Sequence, residues 1–227
     1  MIRISLLTCV ALGCGSPSAH QDLDAAPPLD TFHASDAAVP DAPADAPAVG
    51  CYASTGPHSG PLRIFFTSAS FTGNLVAAGA GTDGLDSADC LCAAAARNAS
   101  LGGKWRAWLS SSTVNAYDRI TSAGPWHRMV DSAVVFANKS ALAQVPAVPV
   151  KYDETGGTGG SFPAQIWTGT SSGGAMTPAA TCNDWTSSLG SVHATGGSGY
   201  VNTSAWTNDG TYQCSNGQNH LYCIEQP

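Results

Sequence analysis

The strongest hydrophobic pattern in the chain lies between residues 84 and 109. Small or apolar residues recur there with the 3.6-residue period of a helix, at Leu91, Cys92, Ala95, Ala96 and Ala99. At about 100° per residue, the side chains of Cys90 and Cys92 point in nearly opposite directions. The pattern therefore predicts a helix with Cys92 on its core-facing side and Cys90 on its outer side.

Several shorter segments have the patterns of β-strands. Residues 62–68 (LRIFFTS) and 220–226 (HLYCIEQ) predict a first and a last strand. Residues 105–109 (WRAWL) alternate, so that one tryptophan faces each side of a strand. Two apolar runs on either side of Asp131 predict a hairpin. Residues 141–144 are expected to add a helical turn.

The segment from residue 146 to residue 205 has poor periodicity and is dominated by Gly, Ser and Thr. Long irregular stretches are often binding loops, so we predict a long-loop region here with a ligand face. The tryptophans in and beside it have a second interpretation, in which they are core residues that anchor the loops. The residues assigned to the ligand face are Trp167, Trp185, Trp206, Asn208 and Asp209.

Three separated motifs resemble a known family. They are GLDSADCLCAAAARNASLGGKWRAWLSSS at 84–112, IWTGTSSGGAMTPAATCNDWTSS at 166–188 and QCSNGQNHLYCIEQ at 213–226. The chain is similar to endostatin, which has a C-type-lectin-like fold, and more closely to bacterial lipoprotein domains of unknown function with an endostatin-like fold. The resemblance covers residues 62–226. It implies an α+β domain with twisted antiparallel sheets, one main helix and a long-loop region, in which the first and last strands pair, but no activity.

Six cysteines lie beyond residue 50, and an even number in an exported domain implies disulfides. Six cysteines allow 15 connectivities. The resemblance implies the pairs Cys92–Cys223 and Cys182–Cys214. Cys90, on the outer side of the predicted helix, is then expected to pair with Cys51. A metal site through Cys90 and Cys92 is disfavoured, because opposed side chains on one helix cannot share an ion.

The N-terminus predicts export and anchoring. Residues 1–14, MIRISLLTCVALGC, have the pattern of a signal peptide, and Gly13-Cys14 resembles the end of a bacterial lipobox. We predict acylation of Cys14, and the alternative is ordinary secretory cleavage beyond it. Residues 15–50 are rich in Ala and Pro and hold six Asp but no Lys or Arg, which predicts a disordered tether. The expected location is the bacterial cell envelope, as an outer-membrane lipoprotein or a secreted protein.

The folded domain is expected to span residues 51–227, where ten acidic and eight basic residues leave it nearly neutral. This balance disfavours binding to nucleic acid. Gly169–Gly173 (GTSSG) fits the pattern of a serine nucleophile elbow, but no helix period follows it. Asp153-Glu154 could form an oxygen cluster. The histidines have no metal-ligand spacing, so we predict no metal, no cofactor and no catalytic residue.

Trp206-Thr207-Asn208-Asp209 is similar to the Trp-Asn-Asp element of calcium-dependent C-type lectins, but Thr207 interrupts it and the companion Pro-containing tripeptide is absent. We therefore predict a membrane-tethered, surface-exposed binding module whose ligand is a protein or a glycan. Its binding is expected not to depend on calcium. It contacts the membrane only through its lipid anchor. The alternatives are a structural surface protein without a defined ligand and, more remotely, a secreted serine hydrolase. The sequence does not address the oligomeric state.

We expect Cys14→Ser to release the protein from the membrane fraction, because the acyl chains would no longer have an attachment site. Detergent-phase partitioning of the wild type and the variant measures this. Cys9→Ser, which lies inside the signal segment, should leave partitioning unchanged. A mature N-terminus beyond Cys14 would contradict the prediction.

Overall fold

The computed structural model describes residues 54–159 and 164–227. The predicted signal peptide, the lipid site Cys14, the tether and Cys51 with its bridge to Cys90 all lie outside the described residues. The described part is an α+β domain with few helices and one sheet of eight strands. No helix within it is long and apolar enough to cross a membrane.

The structure contains eight strands, three helices and shorter helical turns in the described residues. The strands are β1 (Leu62–Phe66), β2 (Lys104–Ala107), β3 (Trp126–Arg128), β4 (Val134–Phe136), β5 (Gln165–Trp167), β6 (His193–Ser198), β7 (Gly210–Gln213) and β8 (Asn219–Gln226). The helices are α1 (Leu75–Ala78), α2 (Gly84–Asn98) and α3 (Ala116–Arg119), with 3₁₀ turns at Lys139–Ala143 and Ser204–Trp206 and one further helical turn at Cys182–Trp185.

The last strand, β8, lies at the centre of the sheet. The strand order is β4-β3-β1-β8-β5-β6-β7, and β2 also pairs with β8. The first and last strands pair, as the resemblance implies, with Phe65 opposite Cys223. The predicted hairpin is present as the antiparallel pair β3–β4.

The resemblance implies antiparallel sheets, but the sheet is not antiparallel throughout. Among the described strands, β1 pairs with β3 in parallel, and β5 pairs with β8 in parallel. Parallel partners need a long crossover connection, and both pairs have one. The chain between β1 and β3 includes α2 and β2, and the chain between β5 and β8 includes β6 and β7. The sheet is therefore mixed.

Alternating side chains of the strands build one hydrophobic core on each face of the sheet. On one face, Ile64 of β1 and Tyr222 of β8 pack with Trp108 and Trp206. On the other face, Phe65 packs with residues of α2 and β2. The predicted alternation of residues 105–109 is confirmed, because Trp105 and Trp108 are buried in opposite cores.

Helix α2 packs on the second core through Ala88, Cys92 and Ala96, whereas Leu91 and Ala95 of the predicted face are only partly buried. Cys92 is 0% exposed and forms a disulfide with Cys223 of β8. Cys90 is partly exposed, in agreement with the opposite directions of the two side chains. A second disulfide joins Cys182 to Cys214. These are the two pairs that the resemblance implies.

A buried ion pair fixes α2 to β2 and α3. Asp89 accepts hydrogen bonds from the Ala107 amide at 2.8 Å and from Arg119 Nη2 at 2.7 Å. Arg119 also donates to the Ala107 carbonyl at 2.7 Å. Burial raises the pKa of Asp89, although the positive charge of Arg119 opposes that effect. The contact sets the position of the helix along the sheet.

The predicted irregular region at 146–205 contains two strands, β5 and β6, that pair in the sheet. The sequence of β6, HATGGS, does not predict a strand because glycine has low β propensity. Its glycines are required by close packing instead. A Cβ atom at Gly197 would lie 2.0 Å from the Trp206 carbonyl oxygen, and one at Gly196 would lie 2.7 Å from the Tyr212 ring.

We expect the two disulfides to stabilise the domain unequally. They span 131 and 32 residues along the chain, so the chain-entropy model gives about 5 kcal/mol for Cys92–Cys223 and about 4 kcal/mol for Cys182–Cys214. The double variants Cys92→Ser/Cys223→Ser and Cys182→Ser/Cys214→Ser, compared by urea unfolding, measure the difference. A larger loss of unfolding free energy on removal of Cys182–Cys214 than on removal of Cys92–Cys223 would contradict the expected order.

Candidate functional site

Two strands approach each other along the same edge of β8. Strand β2 pairs with Cys223–Gln226 and β5 pairs with Asn219–Leu221 along this edge. Strand β1 pairs with Tyr222–Ile224 along the opposite edge of β8. Since β2 runs antiparallel to β8 and β5 runs parallel to it, their ends converge beside Tyr222. Both chains must leave the sheet at this point. We call residues 108–115 and 168–177 the exit loops.

Buried hydroxyl groups hold the exit loops together as they leave the sheet. The Ser110 amide donates to the Thr168 carbonyl at 2.9 Å, and the hydroxyl oxygens of Ser110 and Thr170 are 2.9 Å apart. Ser110 Oγ also accepts the amide of Ala116 at 2.9 Å. Ser110, Thr168 and Thr170 are 0% exposed. The small hydroxyl side chains therefore satisfy backbone and side-chain groups that the sheet no longer pairs.

A third segment, residues 206–209, joins the exit loops through Thr207. The Thr168 hydroxyl donates to the Thr207 carbonyl at 2.6 Å, and the Trp108 indole N–H donates to Thr207 Oγ1 at 2.8 Å. Thr207 is buried, whereas Asn208 and Asp209 are exposed. The threonine that interrupts the lectin-like Trp-Asn-Asp pattern thus anchors this segment in the core.

The assignment of Trp167, Trp185 and Trp206 to a ligand face is wrong. All three side chains are 0% exposed, so they are core residues. Their indole N–H groups donate to the carbonyls of Phe71, Ser110 and Gln144 respectively, at 2.7–2.9 Å. A buried Trp needs such a partner for its N–H group. The tryptophans support the loops from beneath and cannot touch a ligand at the surface.

The turn at Cys182–Trp185 has an unusual backbone. All four residues have positive φ angles, between 49° and 66°, although none is glycine. The left-handed conformation costs about 1–2 kcal/mol per non-glycine residue. The turn persists because its ends are fixed: Cys182 is bonded to Cys214, and the indole of Trp185 is bonded to Ser110.

Asp184 in this turn ties it to the first exit loop. Its carboxylate accepts hydrogen bonds from the amide and the hydroxyl of Ser112, each at 2.6 Å, and from the Thr181 hydroxyl at 3.1 Å. Burial acts to raise the pKa of Asp184, but the hydrogen bonds from Ser112 and Thr181 outweigh it, so the pKa lies below its ordinary value. The carboxylate is therefore ionised at neutral pH.

The surface that these segments present is polar and has little charge. Asp209 is its single ionisable group, and Val114 is its largest exposed apolar side chain, at 36%. Its other polar groups are hydroxyls, an amide and backbone groups. Its exposed residues are Ser112, Thr113, Val114, Ser172, Gly173, Ala175, Asn208 and Asp209.

The GTSSG motif has the strand of a nucleophile elbow but not its helix. Strand β5 precedes it, and Ser171 then enters a tight turn in which its amide and its hydroxyl both donate to the Ala175 carbonyl, at 2.7 and 3.0 Å. The next helical turn begins only at Cys182. The turn therefore does not present Ser171 as a nucleophile elbow presents its serine.

The Asp153-Glu154 pair is bonded to its own protein. Asp153 Oδ1 accepts the amides of Thr155 and Gly157, each at 2.8 Å. Glu154 accepts the amide and the hydroxyl of Ser68 at 2.7 and 2.5 Å. Both carboxylates are nearly buried, which shows that they close loops. Within residues 54–159 and 164–227, no group of three or more His, Cys, Asp or Glu is placed to hold a metal ion.

The sequence analysis assigned Asn208 and Asp209 to a ligand face, and both are exposed beside the exit loops, but it did not include the first exit loop. The hydroxyl run Ser110-Ser111-Ser112-Thr113 directly after a buried strand was the available signal. Its position next to residues 168–177 depends on the convergence of β2 and β5, which no local pattern contains. No protein-family model and no curated protein matches the chain. The resemblance to endostatin-like lipoprotein domains therefore stays a prediction.

We expect Asp184→Asn to lower the free energy of unfolding by about 1–2 kcal/mol at pH 7, because the bonds from Ser112 lose their charged acceptor. The pKa of Asp184 is lower in the folded state than in the unfolded state. The contribution is therefore present above the unfolded-state pKa, which is about 4, and is lost as the pH falls through the folded-state pKa. Urea unfolding of both proteins between pH 7 and pH 2.5 tests this. Asp118→Asn, at an exposed site, is the control. If the difference in free energy of unfolding between the wild type and Asp184→Asn grows as the pH falls, the lowered pKa of Asp184 is contradicted.

Proposed function

We propose that this protein is an exported, membrane-tethered binding module whose ligand contacts the exit loops and the segment at Asn208-Asp209. The hydroxyl network of Ser110, Thr168 and Thr170 is the observation that carries the proposal. Loops positioned by a rigid scaffold commonly carry binding function. Here three separate segments are fixed to one another by buried bonds, so their exposed polar groups have defined positions before any ligand arrives.

The two disulfides support the exported location. Disulfides persist in oxidising compartments and are rare in the cytosol. The bridge between Cys182 and Cys214 also stiffens the turn that supports the first exit loop. Rigid loops lose less conformational entropy on binding, which favours affinity.

The chemistry of the surface favours a neutral glycan over a protein as the ligand. The cores of protein–protein interfaces are enriched in aromatic residues, and the tryptophans of this region are buried. The exposed groups of the loops are mainly hydroxyls, an amide and backbone groups. These groups are hydrogen-bond donors and acceptors that match the hydroxyls of a neutral sugar. Asn208 and Asp209 alone supply too few oxygens for calcium, which takes six to eight ligands.

We expect the full-length protein to bind neutral glycans on an array, with and without a calcium chelator. The triple variant Thr113→Ala/Ser172→Ala/Asn208→Ala should weaken binding about tenfold or more, because each lost hydrogen bond contributes about 0.5–1.5 kcal/mol. Thr211→Ala/Gln218→Ala is the matched control, since both residues are exposed outside the loops.

Two results would overturn the proposal. Binding that disappears on chelation would assign a calcium site. The structural role would be favoured over the binding role if the array shows no bound glycan and if the surface of cells that produce the triple variant is unaltered.

A further inference from the structure

The main chain of Asp209 is held on both sides, beside the exit loops. Its amide donates to the Gly196 carbonyl of β6 at 2.8 Å, and β7 begins at the next residue. Two positions earlier, the buried Thr207 is bonded to Thr168 and to Trp108. The side chain of Asp209 is exposed. The fold therefore presents this carboxylate from a fixed backbone.

The carboxylate of Asp209 is oriented by Tyr212 of β7. The phenol hydroxyl donates to Asp209 Oδ2 at 3.4 Å. The Tyr212 ring makes an edge contact with the buried Trp167, with 6.4 Å between the ring centroids, and it lies against Gly196, which has no side chain to displace it. Burial and the negative charge of Asp209 raise the pKa of Tyr212 above its ordinary value, so the phenol keeps its proton and remains a donor.

The carboxylate of Asp209 has acceptor capacity that the protein does not use. An ionised carboxylate offers about four lone-pair sites on its two oxygens. Among the residues that the structure describes, the Tyr212 hydroxyl is the one hydrogen-bond donor to this group, and it contacts Oδ2. Oδ1 and the remaining lone pair of Oδ2 therefore face the solvent or a ligand.

The neighbouring residue supplies hydrogen-bond donors. The backbone amide of Asn208 donates to the Ser204 carbonyl at 3.2 Å, which fixes its main chain. Its side chain is exposed and has no hydrogen-bond partner in the described part of the protein. The side-chain amide has two N–H donors and a carbonyl acceptor. An acceptor-only group and a group of mixed character are thus adjacent in the sequence and exposed together.

Hydroxyl groups match this pair better than an ammonium group does. An ammonium group has three donors and no acceptor, so it would pair with Asp209 but leave the side-chain N–H groups of Asn208 unmatched. A hydroxyl group both donates and accepts. Two neighbouring hydroxyls of a sugar in the gauche arrangement are close enough for both to donate to one carboxylate.

We propose that Asp209 is the specificity-determining residue of the binding surface and that the ligand is a glycan with a free vicinal diol. Both hydroxyls of the diol donate to the Asp209 carboxylate, and one of them accepts a hydrogen bond from the Asn208 side chain. Hydrogen bonds to a charged acceptor are the stronger ones, and a site built for a hydroxyl rejects the analogue that lacks it. This inference rests on the proposed function.

The array glycans that the full-length protein binds are measured again after oxidation with periodate and reduction with borohydride, which cleaves vicinal diols. We expect the wild type to bind the oxidised glycans at least tenfold more weakly. Asp209→Asn should weaken binding to the intact glycans about tenfold or more, because the charge is lost and a donor replaces one acceptor oxygen. It should also bring the ratio of the affinities for intact and oxidised glycans near one.

Asp118→Asn makes the same change at an exposed carboxylate outside the binding surface and should bind like the wild type. Asp209 is exposed, so an unchanged unfolding midpoint of Asp209→Asn verifies that its fold is intact. Tyr212→Phe keeps the ring but loses the orienting hydroxyl. It should weaken binding to intact glycans less than Asp209→Asn does and leave binding to oxidised glycans unchanged.

Three outcomes would overturn this inference and leave the proposed function standing. They are wild-type binding that survives oxidation, wild-type affinity of Asp209→Asn for the intact glycans, and binding confined to glycans with free amino groups. If the wild type binds no glycan on the array, the proposed function and this inference both fail.

Discussion

The rest of the structure depends on the requirement that β8 be paired along both edges. All eight residues of β8 are buried, so its backbone groups cannot turn to water. Strand β1 covers one edge, and β2 and β5 divide the other. The same strand carries Cys223, which is bonded to α2, and Glu225, which is bonded to Arg63. The helix and both halves of the sheet are therefore positioned by one segment of eight residues.

The divided edge of β8 explains why the loops emerge where they do. Two strands that converge on one edge must both leave the sheet where they meet, and their departing backbones lose their regular partners. Ser110, Thr168, Thr170 and Thr207 replace those partners with hydroxyl and carbonyl contacts inside the protein. At the exit loops, the Ser and Thr residues of this low-charge chain therefore have a structural role inside the protein and are not only surface residues.

The sequence predicts the elements whose patterns are local. The helix α2 with Cys92 on its core side and the alternation of residues 105–109 follow from periodicity, whereas the pairing of β1 with β8 was implied by the resemblance. Strand β6 was missed because Gly196 and Gly197 are selected by close packing and not by strand propensity. The positions of the tryptophans were ambiguous because a Trp in the sequence is equally compatible with a buried core position and with an exposed ligand-binding position.

The candidate site could not be predicted because its contacts join distant parts of the chain. Ser110 meets Thr168 only after β2 and β5 have both paired with β8. Asp209 meets Gly196 only after β6 and β7 have paired. Each contact depends on the register of a strand, and a shift of one residue would turn the side chain to the other face of the sheet. Such pairs carry no signal in one sequence.

The strained turn at Cys182–Trp185 shows where the fold uses stability to shape a surface. Four non-glycine residues in the left-handed region would relax in an isolated peptide. A disulfide, a buried indole and the carboxylate of Asp184 hold them from three directions, and the carboxylate places Ser112 at the surface. Strain of this kind persists only where the surroundings over-determine the backbone. These constraints fix the amide and the hydroxyl of Ser112 in position, which is what the proposed binding surface requires.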